Sequence, residues 1–463
     1  MLKKPLTGLL FLLALAAWVA PTSTAAQDCT VTIGRVVPIT GPLLDLGRET
    51  PWLDDNKIKP INAGGGLQIG GTKCKIAYKI YDSKGTVAGS GEAATRAILD
   101  DRVDFLMAMG TKDTTNARSD LCERYKVPCL TTATLVEAWL LGPDGKPKTY
   151  AYTFHFFFGG PDLVKNHVGM IKALPGGFNR KIGYLYPNDA DGVVFQSLFD
   201  PTFKKEGWQP VDPGRFQQGL PDFTPIITQF KRHRVEVVTG VLASLDLQSY
   251  MQQAAQLGFK PKIYIIDKGS GYPGPMKALG EHGVDILSVN FWSPAYPGKS
   301  KYGGYDGQGL VERYERENPG KQYSPMLAYG DAPWDVLLDA LQRAGTIEHE
   351  LVRRALAATD LETVIGRVKF TPQHYSVQPL GGAQWRLDDK TGRLVKGERF
   401  QRSLPIGQED GTDAALPAVT AVARGRDRSS IPPPALRALL ALDRVDSRGY
   451  PRLGLPRFSG PAR

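Results

Sequence analysis

Two carboxylates separated by a single alanine, Asp189 and Asp191, stand in the segment IGYLYPNDADG (182–192). A close acid pair is the minimum equipment for general acid–base work, one partner protonated and the other ionised. Two acids on one loop also suit plainer tasks, facing water or pairing the charge of a ligand, and nothing nearby completes a catalytic set. The chain has no Gly-x-Ser-x-Gly elbow, no His-Glu-x-x-His and no phosphate-cradling Walker loop. His349-Glu350 lacks a second histidine. The segment GSGYPG (269–274) spells Gly-x-Gly-x-x-Gly after an apolar run, but Pro273 interrupts the helix that should follow. No acid stands at the right distance to hold a ribose, so dinucleotide binding is not expected. There is no Cys-x-x-Cys and the six histidines are dispersed, which leaves no metal site. No cofactor is expected, and the chain does not read as an enzyme.

The elements that position such residues follow from apolar periodicity. Between 29 and 158 strand-like runs alternate with helical stretches: strands over 31–37, 75–81, 103–109, 128–132 and 149–156, helices over 48–62, 85–99 and 115–125. Strands separated by ten-to-fifteen-residue helices make βαβ units and a parallel sheet. The pattern restarts after Gly159-Gly160-Pro161. Strands are expected over 181–186, 235–241, 262–267 and 284–289, a strand and loop over 209–218, and helices over 193–207, 224–234 and 247–258. Further helices over 310–317, 332–344 and 349–358 precede short strands over 368–370, 384–387 and 394–399. The fold class is α/β, with two consecutive doubly wound parallel sheets. In such sheets ligands bind in the crevice outside the carboxyl ends of the strands.

Residues 1–26 read as a secretory signal: Lys3 and Lys4, an apolar run over 9–20, then a small-residue segment ending Thr24-Ala25-Ala26. Export makes disulfides permissible. Cys29 and Cys74 each begin a strand run, and neighbouring strands would set them side by side. Cys122 ends a helix, and Cys129 lies seven residues on in the next strand, so a returning helix brings that pair within bridging range. Cys29–Cys74 and Cys122–Cys129 are the expected bridges, with buried free thiols as the alternative. The formal charge of +10 is spread along 463 residues, and the cluster Lys231-Arg232-His233-Arg234 suits a solvated helix end, so no nucleic-acid partner is implied. From 401 onward the composition changes to ten arginines, no lysine and Pro432-Pro433-Pro434. That stretch, 401–463, reads as a disordered Arg/Pro-rich tail.

VVPITGP (36–42), INAGGG (61–66), YDSKG (81–85), KVPCLTTAT (126–134), IGYLYPNDADG (182–192), the turn over 219–223 and VIGRVKFTP (364–372) follow one another in an order and spacing that resembles the periplasmic solute-binding proteins of ABC importers, branched-chain amino-acid type. The resemblance covers about 30–399. It implies two α/β lobes joined by three crossing segments, with the ligand in the cleft between them. Mapped here, lobe 1 is 28–157 plus 292–367, and lobe 2 is 158–291 plus 368–400.

The resemblance also implies site residues. The loop Gly110-Thr111-Lys112-Asp113-Thr114-Thr115 follows a strand and opens a helix, where backbone N–H groups and hydroxyls suit a ligand carboxylate. Ala133 and Thr134 map to backbone contacts. His155-Phe156-Phe157-Phe158 supplies an aromatic wall, with one phenylalanine, Phe157, facing the cleft. Asp191 and Leu242 map to ligand-facing loops of lobe 2, and Trp292 at the second crossing is a candidate lid. Leu46 stands where amino-acid binders often carry a tyrosine, and Lys268 where they carry the acid that pairs an α-ammonium. A lysine there repels an ammonium and favours an anion.

The implied function is capture of a small carboxylate-bearing solute, an amino acid or an aromatic or organic acid, by a periplasmic monomer. The implied partners are the permease and ATPase subunits of an ABC importer. A ligand sensor that docks on a membrane receptor would use the same fold, and a secreted α/β hydrolase is the remaining alternative.

Overall fold

The structure, a computed structural model, describes residues 29–142, 146–388 and 394–403. The expected signal segment and the tail beyond 403 lie outside the described residues. Eleven strands come first in the chain: β1 (Cys29–Val37), β2 (Leu67–Ile69), β3 (Thr72–Asp82), β4 (Phe105–Met109), β5 (Cys129–Thr132), β6 (Thr153–Phe157), β7 (Lys181–Leu185), β8 (Gln209–Val211), β9 (Val237–Leu242), β10 (Ile263–Lys268) and β11 (Leu287–Asn290). The hairpin β12 (Asp360–Thr363) and β13 (Gly366–Lys369) then leads to β14 (Tyr375–Val377), β15 (Leu380–Leu387) and β16 (Leu394–Ser403).

Fourteen of these strands build two seven-stranded sheets, and β12 and β13 pair only with each other. The first has the order β14-β6-β5-β4-β1-β3-β2 and the second β16-β15-β11-β10-β9-β7-β8. Their interiors are parallel, and antiparallel pairs occur only towards the edges, at β2–β3, β11–β15 and β15–β16. Helices cover both faces of an interior parallel strand, so its residues read as unbroken apolar runs. All six residues of β9 are buried, and Val31, Ile33, Val36 and Val37 of β1 are wholly inaccessible.

The chain passes from the first sheet to the second after Phe157, returns after Asn290, and crosses a third time between Val377 and Leu380. The third crossing comes later than the 367–368 boundary that the resemblance suggests. Tyr375–Val377 pairs in parallel with His155–Phe157 and so still belongs to the first sheet. The edge strand β16 also runs three residues past 400. Three α-helices are missing from the predicted elements: Val136–Trp139, Gly160–Ala173 and Pro273–Leu279, the last opening on the Pro273 that was expected to interrupt a helix. Gly159-Gly160-Pro161 reads as a break, yet Gly160–Ala173 is a helix that starts on it. Proline in a first helical turn forfeits no hydrogen bond, so the same residues that end one unit open the next.

Cys29 pairs in register with Cys74 across β1 and β3, and the two are joined by a disulfide at a Cα separation of 4.5 Å. Cys122, in the helix Lys112–Tyr125, is bridged to Cys129 at the start of β5. The four cysteines are therefore paired as expected from their positions. No helix among the described residues is long and apolar enough to cross a membrane.

Candidate functional site

The carboxyl ends of the strands in both sheets converge on one cavity of about 100 Å³. The first lobe contributes Leu43, Asp45, Leu46, Thr111, Ala133, Thr134 and Phe157, and the second Asp191, Val241, Ser244, Asp267, Lys268 and Tyr272. Of the residues named from sequence, Leu46, Thr111, Ala133, Thr134, Phe157, Asp191 and Lys268 all face this space. Lys112, Asp113 and Thr114 line a neighbouring opening of about 200 Å³, together with Asp189 and Gln218.

The lobe 1 wall is held from below. Arg118 is fully buried and donates to the carbonyls of Met109 and Val36 at 2.9 and 3.1 Å and to Thr115 Oγ1 at 3.0 Å. Thr134 Oγ1 donates to the Gly110 carbonyl at 2.7 Å and lies 3.1 Å from Thr115 Oγ1. A side chain at Gly110 would overlap Thr114 Oγ1 and Arg118 Nη2. The loop that opens the helix Lys112–Tyr125 is thus clamped against its own strand, with its N-terminal backbone amides at the cavity edge.

The lobe 2 wall is charged. Lys268 Nζ lies 3.0 Å from Asp191 Oδ2 and 3.8 Å from Asp189 Oδ2, and the Lys268 and Asp191 side chains each keep 18% of their surface exposed. Burial works against the Lys268 ammonium, but Asp191 and Asp189 outweigh it and hold its pKa above the ordinary lysine value. Burial and then the Asp191 charge push Asp189 upward. The other oxygen of Asp189 caps the helix Ala190–Lys205 by accepting from Gly192 N at 2.9 Å. Asp267 is fixed by His167 Nε2 at 2.7 Å and by the backbone N–H of Val289 at 3.0 Å.

Two strand ends facing the cavity carry backbone strain. Ala133, after β5, has φ 72°, and Lys268, the last residue of β10, has φ 70° and ψ −94°. Left-handed non-glycine residues persist where the surroundings over-determine them, and they concentrate at functional sites.

Two residues named from sequence line neither this cavity nor the neighbouring opening. Leu242 is buried in the second lobe's core, while its neighbours Val241 and Ala243 face the space. Trp292 is also buried, and its Nε1 donates to the Val364 carbonyl at 2.9 Å; Phe291 takes the cavity position. Within β9 successive residues point to opposite sides, so a displacement of one residue exchanges wall for core there; Phe291 and Trp292 follow the end of β11. The aromatic wall is also wider than the single expected ring. Phe157, Phe158 and Phe291 all line the cavity, with ring centroids 4.2 to 5.7 Å apart. Asp45, Asp267 and Tyr272 were not singled out from sequence. Asp267 directly precedes Lys268 at a strand end, and that adjacency is a usable signal. Among the described residues no His/Cys/Asp/Glu group could hold a metal ion.

Two sheets that face each other strand end to strand end, with a solute-sized cavity between them, define a two-lobed substrate-binding protein. The chain belongs to the periplasmic binding protein family, whose family model matches residues 30–392. It is 24% identical over 406 residues to a Leu/Ile/Val-binding protein homolog of Brucella abortus (strain 2308), an alignment covering 83% of this chain and 95% of that protein. Among solved structures it resembles a leucine-binding protein from Thermotoga maritima, with TM-score 0.64 and 19% identity over 79% of this chain and 97% of that one. It also resembles the solute-binding protein of an ABC transporter from Rhodopseudomonas palustris HaA2, solved in complex with p-hydroxybenzoic acid, with TM-score 0.65 and 16% identity over 80% and 96% of the two chains. At these identities the structural likenesses establish the fold. The family and fold are those of ABC-type substrate-binding proteins.

Proposed function

We propose that this protein is a periplasmic, monomeric capture protein that takes a small carboxylate-bearing solute from solution and delivers it to the permease and ATPase subunits of an ABC importer, without chemistry. The observation that carries the reading is the composition of the interlobe cavity. On its lobe 1 side, Thr111 and Thr134 flank the clamped helix start, an arrangement suited to a carboxylate. Leu46, Phe157, Phe158 and Phe291 supply an apolar body with aromatic faces. Relatives named for leucine, isoleucine and valine and a structural neighbour holding an aromatic acid support the same ligand range. The residues named from sequence that line the cavity, and the adjoining Lys112, Asp113 and Thr114, form the proposed binding set.

A thermal-shift screen over amino acids, aromatic acids, dicarboxylates and amides tests this, because a ligand of the folded state alone raises the melting temperature with its excess over Kd. One or more carboxylates should raise it, with saturable binding by calorimetry and no turnover on prolonged incubation. Stabilisation by neutral amides alone, or consumption of the solute, would remove the reading.

A further inference from the structure

Three carboxylates line the cavity, and each already has partners inside the protein. Asp45 Oδ2 accepts from Ser244 Oγ at 2.9 Å, and its other oxygen lies 3.7 Å from Arg48 Nη1. Asp267 is held by His167 and by the Val289 amide. Asp191 holds the ammonium of Lys268, which also approaches Asp189. A ligand ammonium entering this space meets no carboxylate without a partner already in place. To gain one it must expel Lys268, whose head group is already seated on the acid pair. The unusual backbone of Lys268, φ 70° and ψ −94°, fits a residue held in place to present that side chain.

We infer that Lys268 is a built-in substitute for a ligand's ammonium, so that the cleft selects carboxylic acids without an α-amino group over the amino acids of the same shape. This rests on the reading of the protein as a binder of carboxylate solutes and narrows it. The carboxylate end goes to the lobe 1 loop, the apolar body to the phenylalanine wall, and the charge at the lobe 2 end is closed internally. Removing the lysine charge leaves Asp189 and Asp191 uncompensated. That vacated pair then becomes a seat for an ammonium.

The test uses matched pairs that differ only by the amino group: 4-methylpentanoate and leucine, 3-phenylpropanoate and phenylalanine, phenylacetate and phenylglycine. Each is titrated calorimetrically into the wild type, Lys268→Met, which keeps the apolar stem, and Lys268→Ala, with circular dichroism to confirm folding. The wild type should bind the acid of a pair at least tenfold tighter than the amino acid, and the variants should reduce that ratio at least tenfold. A wild type that binds the amino acid as tightly as its acid overturns the inference and leaves the carboxylate reading standing. Folded variants that keep the wild-type ratio also overturn it. The wild-type ratio needs no variant, so it decides even where a substitution prevents folding. If the wild type binds no member of any pair and no carboxylate of the screen, the carboxylate reading itself falls, and this inference falls with it.

Discussion

Ser244 Oγ donates to Asp45 Oδ2 across 2.9 Å, and the two residues belong to opposite lobes. Asp45 sits in the short turn Leu44–Leu46 after β1, and Ser244 begins the helix after β9. The bond bridges the cleft beside the cavity that both residues line. It exists only when the lobes are together, so it contributes to the closed state and nothing to an open one. Ser244→Ala should weaken binding of the best solute from the screen by about 0.5–1.5 kcal/mol, the ordinary net value of one hydrogen bond. Small-angle scattering should show a smaller radius of gyration at ligand saturation than without ligand, and the variant should need more solute to reach it. Identical closure curves for variant and wild type would show that the bridge forms without consequence.

The two disulfides differ in the length of chain they close. Cys29 and Cys74 are 45 residues apart, Cys122 and Cys129 only seven. A crosslink restricts the unfolded chain more when its loop is longer, roughly 4 kcal/mol for the first and 2–3 kcal/mol for the second. Replacing Cys29 and Cys74 together with serine should therefore lower unfolding stability more than replacing Cys122 and Cys129. Denaturant titration of the two double variants gives the order directly. Peptide mapping of the oxidised protein should recover no alkylatable thiol.

The same cysteine positions show why much of the fold was legible. Strand starts at Cys29 and Cys74 follow from apolar runs, and a parallel neighbour pairing then leaves little freedom for the two thiols. Strands such as β9 are buried on both faces, which makes them continuous apolar runs that need no tertiary knowledge to find. The site was legible as loops at strand ends. It was not legible at the level of which side chain turns inward, because Leu242 and Val241, or Trp292 and Phe291, are adjacent and equally apolar. Nor could local sequence show that Lys268 is satisfied within its own lobe. That depends on Asp191, 77 residues earlier in the chain.

Glu137 makes stability depend on pH. Its Oε2 accepts from Gly160 N at 2.7 Å, next to the first crossing between the lobes, and its Oε1 has no hydrogen-bond partner among the described residues. Burial pushes its pKa from 4.5 to about 7, with Asp162 adding to the rise. Between those values the folded state holds a proton that the unfolded chain releases. The contribution is therefore fully present below pH 4.5 and is lost as pH rises towards 7. Its size is roughly 2–4 kcal/mol at 1.4 kcal/mol per unit. His155, which burial pushes down to about 4, acts in the opposite sense, losing stability as pH falls through the same range. Glu137→Gln separates the two, since the amide keeps an acceptor for Gly160. Relative to wild type, the variant should gain stability steadily from pH 4.5 to 8 in chemical denaturation. A difference that does not change with pH would mean that Glu137 titrates normally.

Gly192 couples packing to the charge in the cleft. It stands in the first turn of the helix Ala190–Lys205, one residue after Asp191, and its N–H donates to Asp189 Oδ1. The obstacle to a side chain here is space: a methyl group at Gly192 would overlap the carbonyl oxygen of Pro187. That oxygen belongs to backbone and cannot rotate away, so the turn over 187–192 must shift as a unit. Overpacking of this kind costs about 1–3 kcal/mol. The shift would also move Asp189 and Asp191 relative to Lys268, which is anchored on β10 and not on this turn. Gly192→Ala should therefore lower the melting temperature and weaken solute binding together. Gly176→Ala, in open surroundings 16 positions earlier, is the comparison for stability alone; its left-handed backbone, φ 103°, makes it strained without touching the cleft. Calorimetry at a temperature where both variants are fully folded distinguishes the cases. A loss of affinity in Gly192→Ala but not in Gly176→Ala would mean that the acid pair is positioned by the glycine beneath it. Equal affinities would show that the turn yields without carrying Asp191 along.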